Sequence, residues 1–237
     1  MAKEDQSLRG KIGPVVVYRL NGQNVVRSLP RRYKQTPATK ARSLNFGKAA
    51  RASSMLRAGL KNVLPFPKEY QVQGKLAGVI SKWLGTTPIA ELRPEKKIPH
   101  LIDFRFNGKS ELNSLWKGLL QVELSEQGKL LLNIPAFIPA DIIYSPSWAH
   151  TIECRIGAVS YNLAGGSFRG QFFKSIHFPR DRQEVPAQQI PLSVPVETGN
   201  IVLVVVSMIY TITKNGMELE NTKPEFRPAG VIAAMYS

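Results

Sequence analysis

The stretch IVLVVVSMIYTIT, residues 201–213, begins with the longest apolar run of the chain, which only Ser207 and Thr211 interrupt. Turn-forming pairs flank it, Gly199-Asn200 before it and Asn215-Gly216 after it. The run is much shorter than the roughly 20 residues that a membrane-spanning helix needs. We therefore predict a β-strand here and no membrane span.

Seven further segments after residue 100 have a similar short, strand-like pattern. They are residues 101–106, 119–124, 129–134, 151–161, 169–178, 190–194 and 231–236. Turn signals such as Asn107-Gly108 and Gly165-Gly166 separate them, and no helical pattern lies between them. Short strands at this spacing favour an antiparallel sandwich. We predict a mainly β (α+β) protein in which residues 101–237 form an antiparallel, Ig-like β-sandwich.

A helical segment, residues 36–85, is predicted before the sandwich. The first helix starts at Thr36-Pro37, a favourable N-cap and first-turn pair, and ends at Leu64, before Pro65. Helical spacing separates an apolar side (Ala41, Phe46, Ala49, Ala52, Leu56, Leu60, Val63) from a basic side (Lys40, Lys48, Arg51, Arg57, Lys61). The second helix covers residues 71–84. Residues 86–100 contain three prolines and are predicted to be a linker.

A β-hairpin is predicted around Asn21-Gly22, because this pair favours the positive backbone angles of a type I′ turn. A two-residue loop pairs Leu20 with Gln23, Tyr18 with Val25 and Val16 with Arg27. Both faces carry apolar side chains, and a lone hairpin is marginally stable in water. We expect residues 1–35 to form this hairpin and a basic arm. The hairpin is expected to dock on another surface through Val16, Tyr18, Leu20, Val25 and Leu29.

Charge is distributed unevenly along the chain. The net charge is +15, of which residues 1–82 carry +14 and the remainder +1. A basic N-terminal third favours a polyanion or an acidic protein surface as its partner, and a solvated, solubilising face is the alternative. The candidate contact residues are Arg27, Arg31, Arg32, Lys34, Lys40, Arg42, Lys48, Arg51, Arg57 and Lys61.

Nucleic acid is one candidate polyanion, since clustered cations are sufficient for phosphate contacts. Tyr33 is the one aromatic residue within this cluster, which does not favour stacking on single strands. The motifs of zinc fingers, RRM domains and KH domains do not occur. We predict polyanion affinity rather than recognition of a base sequence.

Catalytic motifs are missing from the sequence. The histidines His100, His150 and His177 lack the spacing of metal ligands, and the lone Cys154 is predicted to be a buried hydrophobic residue. The glycine-rich residues 162–170 lie between two strands, where a hairpin loop is expected rather than a phosphate-binding loop. We predict no enzyme, no catalytic or metal site, no cofactor and no small-molecule substrate.

The N-terminal quarter resembles a family of uncharacterised Bacteroidetes proteins, a domain of unknown function. Members read GKxGxVV, a glycine, VRSxP, a Thr-Pro turn and a basic helix. The matching residues are Gly10, Lys11, Gly13, Val15, Val16, Gly22, Val26, Arg27, Ser28, Pro30, Thr36 and Pro37. The match is clear over about residues 10–60, and residues 190–216 are similar to the family's closing strands. The resemblance implies a C-terminal β-sandwich and a bacterial or phage origin, and it implies no activity.

These observations favour a non-enzymatic structural or assembly component of a larger bacterial or phage complex. Its basic third would dock on an acidic protein surface or nucleic acid, with protein subunits, its own or others, as partners. The start of the chain has no apolar run, so we expect no signal peptide and a cytoplasmic or virion location. Two alternatives stay open: a nucleic-acid-binding accessory protein, and a β-sandwich that binds a ligand or glycan.

Overall fold

The protein divides into two compact units, Met1–Pro37 and Ala38–Ser237. The structure is a computed structural model, and it describes residues 9–20, 22–29, 34–66, 70–95, 97–118, 120–214 and 217–237. Over these residues the first unit contains one antiparallel sheet and the second unit contains two.

The first unit is a three-stranded antiparallel sheet of β1 (Gly10–Ile12), β2 (Val15–Leu20) and β3 (Gln23–Ser28). We call it the N-terminal sheet. Strands β2 and β3 pair Leu20 with Gln23, Tyr18 with Val25 and Val16 with Arg27, so the predicted register is confirmed. Gly22 has a positive φ of 83°, and Asn21 lies outside the described residues. Strand β1 was not predicted, because three residues are too few to show a strand pattern.

The second unit contains two antiparallel sheets. The smaller sheet orders β4 (Gln121–Leu124), β5 (Leu130–Ile134) and β8 (Gln188–Leu192) in that sequence across the sheet. The larger sheet contains β6 (Thr151–Asn162), β7 (Ser167–Pro179), β9 (Asn200–Lys214), β10 (Met217–Glu220) and β11 (Ala229–Tyr236). Its order is β7-β6-β9, and both β10 and β11 pair with β9.

Strand β9 is buried on both faces of the larger sheet. Alternate side chains such as Leu203 and Val205 pack against the helices, whereas Val204 and Val206 face the core shared with the smaller sheet. A strand enclosed on both sides is apolar at successive positions, which explains the continuous run in the sequence. The protein is therefore mainly β with antiparallel sheets, as predicted. An immunoglobulin-like connectivity stays a prediction.

Two helices form a third layer on the far side of the larger sheet. Helix α1 (Pro37–Gly59) ends five residues before the predicted terminus, and short turns continue the chain to Leu64. Helix α2 (Tyr70–Leu84) buries Leu76, Ile80 and Leu84 in the core that the helices share with β9. The helices, the larger sheet and the smaller sheet are thus stacked in one unit.

Residues 101–106 do not form the predicted strand. The chain makes a helical turn in which the amides of Leu101 and Ile102 bond to the carbonyl of Ile98. Asp103 then adopts a positive φ of 64°, which breaks an extended conformation. The segment still follows the edge of β11, because the amide of Asp103 bonds to the carbonyl of Val231.

Two four-residue helices, α3 (Leu112–Leu115) and α4 (Pro139–Ile142), lie in the connections around the smaller sheet. They and β10 are too short for a periodic pattern to predict them from sequence. The other seven strands predicted after residue 100 are present, with ends shifted by at most two residues.

Candidate polyanion-binding surface

The sequence contains no Asp or Glu between Asp5 and Glu69. We call residues 6–68 the basic segment. It contains 14 Lys and Arg residues, so its cations have no acidic neighbours along the chain. Such a segment produces a positive potential that attracts anionic partners.

Helix α1 carries the best-described part of this charge. Of the predicted contact residues on α1 and just after it, Lys48 is half-buried. Four others are exposed: Lys40, Arg42, Arg51 and Lys61. Lys48 and Arg51 are three residues apart and therefore neighbours on the helix surface. Over the described residues, no ion pair joins any of these five side chains to a carboxylate. Their charge is available to a partner.

Arg57 is the exception to the predicted exposed basic side. It is buried at the interface with α2, where its Nη1 donates a hydrogen bond of 3.2 Å to Oε1 of Gln73. Ser53, one turn earlier, donates from Oγ to the backbone carbonyl of Gln73. Arg57 is therefore a structural residue that joins the two helices, and it lies outside the exposed surface.

The predicted apolar side of α1 also differs at one position. Phe46 is 54% exposed, and Asn45 is buried in its place. The Nδ2 of Asn45 donates to the backbone carbonyls of Gly85 and Thr87, which follow α2. A buried amide is stable here because those carbonyls satisfy its hydrogen bonds. The remaining members of that side are half-buried at Ala41 and buried elsewhere.

Arg51 lies beside the turn that joins β6 to β7. Its guanidinium is 3.5 Å from the position that a Cβ on Gly166 would take. Burial raises the pKa of the nearby Tyr161, and the positive charge of Arg51 partly opposes this shift. Arg51 thus places a cation where α1 meets the sheet.

The N-terminal sheet presents both cations and apolar side chains. The guanidinium of Arg27 lies 5.6 Å from the centroid of the Tyr18 ring, a cation–π contact. The residues predicted to dock are half-buried except Leu20, which is 54% exposed; they are Val16, Tyr18, Leu20, Val25 and Leu29. Lys34 is exposed, and Arg31 and Arg32 lie outside the described residues.

The larger sheet holds a second, neutralised charge cluster. Arg155 donates to Glu153 through Nε at 2.8 Å and to Glu220 through Nη2 at 2.6 Å. Arg227 donates to the other oxygen of Glu220 at 3.1 Å. These contacts tie β10 to β6, so the cluster stabilises the sheet and leaves little charge for a ligand.

Chemistry that would suit a catalytic acid or nucleophile is not favoured in this cluster. Burial raises the pKa of Glu153, but hydrogen bonds from Arg155 and Ser175 outweigh it, so the net pKa lies below the ordinary value of 4.5. The adjacent Cys154 is buried, as predicted, and burial raises the pKa of its thiol to about 12. At neutral pH Glu153 is therefore ionised and cannot act as a general acid, and the Cys154 thiol is protonated and is not the nucleophilic thiolate.

Two further kinds of feature are missing from the described residues. In that part of the chain, no three His, Cys, Asp or Glu side chains are placed to hold a metal ion. None of the helices seen there is long and apolar enough to cross a membrane.

Comparison with known proteins does not extend this description. No family model, curated protein or solved structure matches the chain.

Proposed function

We propose that this protein is a non-enzymatic assembly component whose basic segment docks on an acidic surface of a partner protein. The observation that carries this proposal is the absence of Asp and Glu from residues 6–68, combined with exposed cations on α1 that have no carboxylate partner over the described residues. Electrostatic complementarity of such a surface is greatest with a partner that supplies negative charge.

The N-terminal sheet supports an attachment role. It is a compact unit of only three strands, and Ile12, Leu20 and Val26 are 46%, 54% and 61% exposed. A small sheet with apolar side chains exposed on both faces is stabilised when another surface covers it. A partner that covers this sheet would bury its exposed apolar side chains.

Electrostatic repulsion also indicates which kind of partner is favoured. Two copies of the basic segment repel each other, because each contains 14 cations and no carboxylate. Contact between the basic segments of two copies is therefore disfavoured. The favoured partner is a different protein with an acidic surface.

Binding to polyglutamate and to a duplex DNA of arbitrary sequence, measured across a salt series, tests the proposal. We expect the full chain to bind polyglutamate, and removal of residues 1–34 to weaken binding while residues 38–237 stay folded by circular dichroism. The triple variant Lys40→Glu, Lys48→Glu, Arg51→Glu should also weaken binding. Its matched control is Lys97→Glu, Lys109→Glu, Lys129→Glu, three exposed lysines outside the basic segment.

Equal effects of the two triple variants would contradict the proposal, because net charge rather than the basic segment would then determine binding. Failure of the full chain to bind either polyanion at low salt would also contradict it. A truncated chain that keeps the full chain's affinity would exclude the N-terminal sheet from the docking surface.

Nucleic-acid binding is the second candidate, favoured by the exposed cations of α1. Phosphates need only clustered Lys and Arg side chains, and log affinity then falls linearly with log salt, by about 0.9 for each phosphate neutralised on duplex DNA. If DNA binds more tightly than polyglutamate at the same salt, with a slope that the Lys40, Lys48 and Arg51 reversals reduce, this candidate replaces the first.

A further inference from the structure

The smaller sheet carries a row of carboxamides across its three strands. In the strand register Gln121 of β4 lies directly opposite Asn133 of β5, and Asn133 lies directly opposite Gln189 of β8. The neighbours of Asn133 in β5, Leu132 and Ile134, are buried in the core between the sheets. Successive side chains of a strand point to opposite faces, so the carboxamide row lies on the outer face.

This row lines a groove at the end of the sheet. The groove has a volume of about 420 Å³, within the usual range for small-ligand sites. Its lining residues are Gln121, Asn133, Ile134, Pro135, Ala187, Gln188 and Gln189. All seven are uncharged, although the protein has a net charge of +15. The groove is therefore an electrically neutral site on a strongly basic protein.

The row keeps most of its hydrogen-bonding capacity for a ligand. One bond joins its members, from Nε2 of Gln189 to Oδ1 of Asn133 at 3.0 Å. Among the described residues no side-chain hydrogen bond uses Nδ2 of Asn133, Oε1 of Gln189 or either end of Gln121. The row therefore offers both donors and acceptors to a ligand.

This arrangement determines the chemistry of a matching ligand. An anionic ligand would need cations in the groove and a cationic ligand would need carboxylates, and the lining residues include neither. Hydroxyl groups both donate and accept, so the hydroxyls of a sugar complement the donors and acceptors of the carboxamides. Pro135 and Ala187 add apolar surface for the C–H groups of a sugar ring.

We propose that this groove binds a neutral saccharide. The inference does not depend on the proposed function, because the groove contains no residue of the basic segment. It adds a second recognition surface, for an uncharged carbohydrate, to the basic attachment surface.

The test uses the full chain and three neutral disaccharides: cellobiose, maltose and N,N′-diacetylchitobiose. Saturation-transfer NMR detects millimolar binding, and we expect at least one of the three to bind. Trialanine serves as a neutral peptide probe, since backbone amides also offer both donors and acceptors. Acidic sugars are left out, because the basic segment would attract them.

Site-specific variants assign binding to the groove. Loss of one neutral hydrogen-bonding group should weaken saccharide binding about five- to tenfold in Asn133→Ala and in Gln121→Ala. Gln171→Ala is the matched control, since Gln171 is an exposed carboxamide on β7 and does not line the groove. The charge-reversal variant of Lys40, Lys48 and Arg51 should bind the saccharide as tightly as the wild type.

Four results would overturn the inference. Binding of none of the three disaccharides would exclude the ligand class, and the row would then be a cross-strand ladder that stabilises the sheet. Trialanine binding at equal strength and with the same dependence on Asn133 would make the site a peptide groove. Saccharide binding that survives both groove substitutions, or that Gln171→Ala weakens equally, would place the site elsewhere.

Discussion

The hydroxyl of Ser207, in the middle of β9, donates a hydrogen bond of 2.6 Å to the backbone carbonyl of Val63, which precedes it by 144 residues. Both residues are buried. The bond joins the end of the helical layer to the centre of the larger sheet. This bond explains why a serine lies within an otherwise apolar strand. Val63 follows the end of α1, so its buried carbonyl has no helical donor and the serine hydroxyl supplies one.

Replacement of Ser207 by alanine should lower the free energy of unfolding by about 1–3 kcal/mol, since the carbonyl of Val63 would be left buried without a donor. Urea denaturation measures this change. Ser193→Ala, at an exposed serine, is the control and should be nearly neutral. A Ser207→Ala variant as stable as the control would show that the bond contributes nothing.

Gly157 on β6 faces the same helical turn. A Cβ at this position would overlap with Cγ2 of Val63 and lie 3.1 Å from Cδ2 of Leu60. We expect Gly157→Ala to lower the free energy of unfolding by about 1–3 kcal/mol through overpacking. The control is Gly74→Ala on α2, where a Cβ has nothing within 4 Å and should be neutral or stabilising.

The double variant Gly157→Ala, Val63→Ala separates overpacking from other causes. Removal of the Val63 methyl groups makes room for the new Cβ, so the double variant should be less destabilised than the sum of the single variants. Simple additivity of the two changes would contradict a direct contact between these side chains.

The carboxylate of Glu153 should make the stability of the folded protein depend on pH in the acidic range. Burial raises the pKa of Glu153, but hydrogen bonds from Arg155 and Ser175 bring it below 4.5 in the folded protein. As the pH falls, Glu153 is therefore protonated in the unfolded chain before it is protonated in the folded protein. Its contribution to the free energy of unfolding is complete above about pH 5 and is lost as the pH falls through the folded pKa. Thermal melting of wild type and Glu153→Gln should show a difference at neutral pH that shrinks below pH 4.5.

The exposed Glu123→Gln is the control for this series and should shift the melting temperature little. A difference between wild type and Glu153→Gln that grows as the pH falls would mean that the pKa is raised instead.

The thiol of Cys154 should be unreactive in the folded protein. It is 1% exposed, and burial, with a smaller contribution from the Glu153 carboxylate, raises its pKa to about 12. Because the thiolate is the reactive form, labelling with a disulfide reagent at mildly alkaline pH should occur only as fast as the protein opens. Full labelling of the native protein within seconds would contradict this burial.

The sequence was informative where local signals determine structure. Asn21-Gly22 predicted the pairing of Tyr18 with Val25, because loop length sets the register of a hairpin. The apolar run of β9 likewise predicted a strand. Residues 101–106 have a similar apolar content, but their backbone bonds to β11 require a helical turn and a positive φ at Asp103, which no local pattern indicates.

The candidate sites show the same limit. Charge counting found the basic segment, but the burial of Arg57 depends on Gln73 of a second helix, and a helical wheel does not include that contact. The carboxamide row was not predicted, since Gln121, Asn133 and Gln189 become neighbours only through the pairing of three strands. Residues distant in sequence become a site only after the register is known.

The burial of β9 between the helices and the smaller sheet has a consequence for synthesis on the ribosome. Helices α1 and α2 are made early, yet Leu203 and Val205, which complete their core, are made more than 100 residues later. The nascent helices therefore lack their partner until most of the chain has left the exit tunnel. We expect chains that stop before β9 to aggregate or be degraded, and the protein to gain its compact second unit late and in one cooperative step.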